Sequence, residues 1–426
     1  MTAVASTDHR LFSGRVILVF FVRVGGMGLG FLLNIAIANI MGPGGYGTIA
    51  YGLAAVALLS VISTFGLDQH AAMWIGQRIA AGGLISGMRS YFRTAHRLVI
   101  PFAIFISIMC LLVMPFYSQA LRPALLFAAL ASPIAALILV YEGMLRSSGR
   151  PVAASLPGLV IRPTVAIGAL LAITPVMSWS TQLVLELLLI SLLVAWAFAL
   201  LQALGRVRIS SQAEPEAQIT VSSLARSAAP FFGVALATTA LNRADVLVLG
   251  LLVDSRQVGI YAAAYNMAAI SLLALQVVNF VIGPHLASLY TQGDSTGLRV
   301  WLRRSRWWAV AASLPILLLY FTVPSLALSL FGPEFRSGAT VLMVLSLGMG
   351  CNAATGSVGN FLMMSGHGRA FGKLLLGAFV VECLGLAFAV PSYGIVGSAI
   401  VVSVVMAGWN LVAFILARRL VGAMGN

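Results

Sequence analysis

Charge is what this sequence has least of. Only 8% of its residues are Asp, Glu, Lys or Arg, against ~25% in soluble domains. Lysine occurs once, at Lys373, so arginine carries almost all the positive charge. The three cysteines, Cys110, Cys351 and Cys383, lie in apolar runs with no paired spacing. That argues against a disulfide framework or a metal cluster, and they read as small hydrophobes. The histidines, His9, His70, His96, His285 and His367, are scattered, without an H-x-x-x-H pair. No Gly-rich loop carries a Walker lysine, so an ATP-driven motor would have to come from another subunit. No catalytic constellation emerges. The expectation is a protein that is not an enzyme, with no metal and no cofactor.

What is abundant is apolar surface. Hydrophobic residues make up 60% of the chain, in runs that reach the ~20 residues a spanning helix needs. The predicted fold class is all-α, a polytopic membrane protein with about 12 transmembrane helices. The runs lie near 16–40, 48–76, 98–116, 121–144, 152–174, 181–204, 229–253, 258–284, 307–331, 337–364, 374–390 and 395–417. Basic clusters alternate with them. Apart from Arg122, Arg256 and Arg336, and from Arg23, Arg162 and Arg243 inside runs, every basic residue falls on one side. A net charge of +14 distributed this way is the positive-inside pattern, not a nucleic-acid stripe. It predicts a multi-pass membrane protein with both termini cytoplasmic. The first run lacks a small-x-small cleavage site and reads as an uncleaved anchor. The other side holds only turn chemistry, GPGGYG at 42–47, TPVMSWS at 174–180 and FGPEF at 331–335.

The chain also repeats itself. Gly87-Met88-Arg89-Ser90-Tyr91-Phe92-Arg93 recurs as Gly297-Leu298-Arg299-Val300-Trp301-Leu302-Arg303, Gly149-Arg150 as Gly368-Arg369, and Gly47 as Gly259. The order is kept and the offset is close to half the chain. Two pseudo-symmetric six-helix bundles are therefore expected, over 1–204 and 229–426, with 205–228 as a cytoplasmic linker. Arg89, Arg93 and Arg97 share one helical face, as do Arg299, Arg303 and Arg306. Each set reads as a short amphipathic helix against anionic inner-leaflet headgroups.

Charges inside the runs are the candidate site, because a charge at a spanning helix centre costs about 2.5–3.5 kcal/mol on insertion scales. Arg23, Arg162 and Arg243 are candidates for binding an anion, with Asn34 and Asn242 as neutral hydrogen-bonding groups in the same cavity. Snorkelling is the bland account of Arg23, and interhelical hydrogen bonding that of the asparagines. Asp245, Glu382 and Glu186 are candidates for coupling or for pairing with the arginines. Arg243 and Asp245 are two residues apart and cannot share a helix face, so at least one needs a partner elsewhere. Arg162 and Glu382 fall at equivalent positions of the repeat and are candidates to pair or to line one cavity. The Gly25–Gly30 cluster sits inside a spanning run, where close helix packing explains it better than a phosphate cradle does. Asp68-Gln69-His70 marks the inner end of the second run.

Residues 38–47 (ANIMGPGGYG), 66–69 (GLDQ), 243–265 (RADVLVLGLLVDSRQVGIYAAAY), 331–345 (FGPEFRSGATVLMVL) and 391–402 (PSYGIVGSAIVV) resemble the polysaccharide-transport branch of the multidrug/oligosaccharidyl-lipid/polysaccharide exporter superfamily. That branch includes O-antigen and exopolysaccharide repeat-unit flippases. The resemblance implies two bundles around a central, often cationic, cavity. It also implies transfer of undecaprenyl-diphosphate-linked oligosaccharide from the inner to the outer leaflet by alternating access, with membrane lipid, a polysaccharide polymerase and a chain-length regulator as partners. Arginine's planar fork suits a diphosphate. The alternative within the superfamily is an ion-coupled drug or metabolite antiporter, whose cationic cargo would want carboxylates. A major-facilitator transporter would need an aspartate in its loop between helices 2 and 3, and Gln77 to Arg97 has none. An oligosaccharide polymerase or ligase would need a sizeable outer loop, which the pattern does not offer.

Overall fold

The computed structural model describes residues 2–80, 88–173, 178–210 and 219–423. Gly87 of the repeated loop, part of the 174–180 turn and the polar centre of the expected linker lie outside them. Among the described residues there is no β-strand. The helices are α1 (Thr2–Thr64), α2 (Leu67–Ala80), α3 (Met88–Val113), α4 (Arg122–Ser147), α5 (Pro151–Leu156), α6 (Arg162–Ile173), α7 (Thr181–Ser210) and α8 (Val221–Leu241). They continue as α9 (Ala244–Leu252), α10 (Ser255–Ile270), α11 (Leu273–Thr291), α12 (Ser295–Thr322), α13 (Pro324–Leu328), α14 (Ala339–Thr355), α15 (Val358–Leu362) and α16 (Gly368–Ala423).

Eight helical stretches among the described residues are long and apolar enough to cross a membrane, nine if α12 and the segment bent 98° from it form one span. The expected runs do not each become a separate helix. The first and most of the second are carried by α1, broken at Gly42 (φ 62°, ψ −178°), with the end of the second in α2, and the last two by α16, broken at Gly394 (φ 54°). Glycine alone tolerates these backbones cheaply. Other runs are divided instead: α8 and α9 meet at Asn242–Arg243, and α10 and α11 at Ser271–Leu272. Large apolar side chains point outward, Phe116 at 88% exposure and Phe388 at 79%. In water such surface would drive association; here it is the lipid-facing side of a multi-pass membrane protein.

The chain divides into two compact units, Met1–Ala36 with Ala55–Phe232, and Ile37–Ala54 with Gly233–Asn426. The boundary falls inside α8, and α7 is helical through Ser210, so helix occupies both ends of the expected 205–228 linker. In the first unit α4 packs against α2, α3 and α7. Its alanines, Ala124, Ala128, Ala131 and Ala136 among them, are fully buried and permit close helix approach. Gly143 does the same against α2, where a Cβ would lie 2.9 Å from the Asp68 Cα.

In the second unit α14 is central, packed against α10, α12 and α16. The 37–54 segment builds one end of this unit. Tyr46 is buried against Phe331 and Phe335, with ring centroids 6.1 and 5.9 Å away, and Asn266 donates to its hydroxyl at 2.8 Å. The Asn39 amide donates to the Leu330 carbonyl at 2.8 Å. GPGGYG and FGPEF, two turns on the sequence, thus meet in one aromatic cluster. Gly47 and Gly259, the repeat-related pair, touch directly. A Cβ on Gly47 would overlap the Ser255 carbonyl, and one on Gly259 would overlap the Pro43 carbonyl. Each glycine meets the backbone that the repeat makes equivalent to its partner's contact.

Candidate functional site

In the first unit three helices bring charge together. Arg23 projects from α1, Glu142 and Arg146 stand one turn apart on α4, and Arg162 opens α6. Glu142 lies within electrostatic range of Arg146, Arg23 and Arg162. Arg23, Glu142 and Arg162 are half-buried and Arg146 is exposed.

Local backbone chemistry sets this arrangement. Between α5 and α6 the helix widens into a π-turn over Pro157–Ile161, a distortion that often marks functional positions. The Gly158 N–H in this turn donates to the Glu142 carboxylate, and a Cβ there would come within 2.8 Å of Glu142 Oε1. Gly26 lies on the same turn: its Cβ would be 2.7 Å from Leu159 Cβ. Gly26 is therefore the member of the glycine cluster that seats α1 on the π-turn. Gly25, Gly28 and Gly30 face open space. Arg23, one turn before Gly26, is carried to the carboxylate by that contact. Asp68 also lies within range of Arg146, and Gln69 donates to it at 3.0 Å. His70 is buried, 3.2 Å from the Tyr91 hydroxyl. That hydroxyl spends its proton on the Leu67 carbonyl at 3.1 Å, which makes His70 Nδ1 the donor of the pair.

The second unit collects acid instead. Asp245 (1% exposed) and Glu382 (2%) are both buried and interact electrostatically. Tyr261 donates to Asp245 Oδ2 at 2.9 Å, and the Val246 N–H to Oδ1 at 2.7 Å. Tyr265 stacks one turn beyond Tyr261 and lies near Asp245, Arg243 and Glu382. Glu382 Oε1 has no hydrogen-bond partner among the described residues. Arg243 sits in the break between α8 and α9, so its backbone leaves the helix there (φ −133°) and its side chain is exposed.

Of the pair expected from the repeat, Arg162 lies beside Glu142, and Glu382 beside Asp245. Asn34 and Asn242 make the same bond: each amide donates to the carbonyl four residues earlier in the chain, Gly30 at 2.8 Å and Thr238 at 2.7 Å. Glu186 is exposed and accepts from Gln182 at 3.0 Å. Sequence reasoning passed over Glu142 and Arg146 as members of the site. Their signal was the Glu–Arg spacing of four, which places both on one helix face.

The first cluster sets three guanidinium groups against two carboxylates, Glu142 and Asp68, and so keeps a positive excess, with donors in forks that match phosphate or diphosphate. The second, two carboxylates against one arginine and two tyrosines, suits a proton or a small cation.

The family model for "Polysaccharide biosynthesis protein" matches residues 15–289. No curated protein matches the chain significantly. Among solved structures it resembles the inward-facing conformation of a multidrug resistance MATE family transporter of the MOP superfamily, with TM-score 0.71 at 13% identity over 95% of this chain and 99% of that one. It also resembles the lipid II flippase MurJ in an inward closed conformation, with TM-score 0.70 at 11% identity over 95% and 87%. A MOP superfamily transporter from Pyrococcus furiosus matches with TM-score 0.64 at 14% identity over 96% of each chain. At these identities the likeness speaks for the fold. The chain belongs to the polysaccharide biosynthesis protein family and has the all-α membrane fold of MOP superfamily transporters.

Proposed function

We propose that this protein is a flippase, not an enzyme, that moves undecaprenyl-diphosphate-linked oligosaccharide repeat units from the inner to the outer leaflet of a bacterial inner membrane. The observation that carries the reading is the cluster of Arg23, Arg146 and Arg162 around Glu142 on membrane-spanning helices. Isolated charges in such helices are costly, and a permanent arginine excess there is best explained by an anionic cargo. Membership of a polysaccharide biosynthesis family supports the cargo class, and the fold shared with a lipid II flippase supports the mode of transport.

In this reading the arginines capture the diphosphate, a central cavity between two six-helix halves passes the sugars, and the polyprenyl tail stays in lipid. Alternating access follows if the two halves rock about the cargo, and both termini are cytoplasmic. The buried Asp245 and Glu382 serve coupling. The same acid pair favours the second reading, an ion-coupled drug or metabolite antiporter. The two separate in cells that make a surface polysaccharide. Alanine at Arg23, Arg162 or Arg243 is expected to stall export and leave undecaprenyl-linked repeat units on the inner leaflet. Normal surface polysaccharide in all three variants rejects the flippase reading.

A further inference from the structure

A second basic site lies wholly inside the second unit, lined by none of the residues of the charge clusters described above. α12, the break between α14 and α15, and the last arm of α16 enclose a cleft of about 940 Å³. Arg299, Arg303 and Arg306 from one face of α12 line it, with Arg418 from α16, and no carboxylate is among its lining residues. The arginines are held in place. The Arg306 and Arg418 guanidinium carbons lie 5.3 and 5.8 Å from the centroid of one ring, that of Phe414, so a single aromatic orders two cations. Gly356, at φ 70°, lets the chain lie on the Arg306 backbone, where a Cβ would come within 3.0 Å of its Cα.

Four like charges around one opening repel one another until an anion enters, and Arg forks favour phosphate. The rest of the wall is apolar, including Leu302, Val310, Val358 and Val421. Trp307 lines the cleft at 61% exposure, and Trp308 beside it is 49% exposed. Exposed tryptophans mark the level of lipid headgroups. A phosphate with an apolar body attached fits this lining better than a soluble ion does.

We propose that this cleft binds the phosphate headgroup of an anionic membrane phospholipid, independently of the transported substrate. The test is native mass spectrometry of the full chain released from micelles containing phosphatidylglycerol or phosphatidylcholine. Phosphatidylglycerol should be retained at least tenfold better than phosphatidylcholine. The Arg303→Gln/Arg418→Gln variant should lose at least tenfold of that preference, and Arg369→Gln, an exposed arginine outside the cleft, should keep it. Equal retention of both lipids by the wild type, or an unchanged preference in the double variant, overturns the proposal. A measurement that leaves every arginine in place backs this up. Brominated phosphatidylglycerol should quench more fluorescence in the wild type than in Trp307→Phe, and equal quenching also overturns it.

Discussion

Gly47→Ala is a substitution whose cost can be worked from the backbone alone. The new methyl would overlap the Ser255 carbonyl and lie 2.7 Å from the Gly259 nitrogen. Both obstacles are main chain of α10, and neither can swing aside as a side chain would. The helices must separate, and forcing a methyl into a packed contact costs about 1–3 kcal/mol. Gly259→Ala meets the Pro43 carbonyl and the Gly47 nitrogen and should cost the same. Once one methyl has pushed the helices apart, the second finds the room already made. The double variant should therefore cost less than the sum, with a coupling of about 0.5–3 kcal/mol. Gly44→Ala is the control, since its Cβ meets nothing within 4 Å, and it should stay within about 0.5 kcal/mol. The assay is thermal unfolding of the detergent-solubilised protein for all four variants. A Gly47→Ala protein as stable as the Gly44→Ala control, or strictly additive costs in the double variant, would refute the reasoning.

The charge clusters give two further predictions. Glu142→Gln keeps an acceptor for the Gly158 N–H but removes the anion that competes for the three arginines, so pyrophosphate binding by calorimetry should tighten several-fold; weaker or unchanged binding contradicts the anion-site reading. Tyr261→Phe strips the buried Asp245 of its 2.9 Å donor and should cost about 1–3 kcal/mol of stability, measured by thermal unfolding. In an Asp245→Asn background that cost should shrink, and an equal cost in both backgrounds would mean that the bond carries no charge-assisted strength.

The fold class was legible because it rests on composition and on the alternation of apolar runs with arginine clusters, and both survive any detail of packing. Helix breaks were legible only in part. GPGG announced the break at Gly42, but nothing local distinguished the Asn242–Arg243 step from continuous helix, and Pro157-Gly158 marked an interruption without showing that it would be a π-turn. The π-turn is fixed by what packs on it, Leu159 under Gly26 and Glu142 against Gly158. The arginines of the candidate site were visible as costly charges inside apolar runs. Their shared carboxylate was not, because Glu142 stands near the end of its run, where an acid looks affordable. Glu186 shows the converse: inside a run by sequence, it is exposed on the helix surface. Position along a run does not report which way a side chain faces.

The central claim is that the arginine cluster captures a diphosphate so that the attached oligosaccharide crosses the membrane. It is tested most directly by reconstituting the purified protein in vesicles with undecaprenyl-diphosphate-linked oligosaccharide, and following the rate at which the sugar becomes accessible to a reagent on the opposite face. The wild type should equilibrate the leaflets, and a folded Arg23→Ala/Arg162→Ala variant should be slower by at least tenfold. Equal rates for the two, or no transfer by the wild type above protein-free vesicles, would contradict the account.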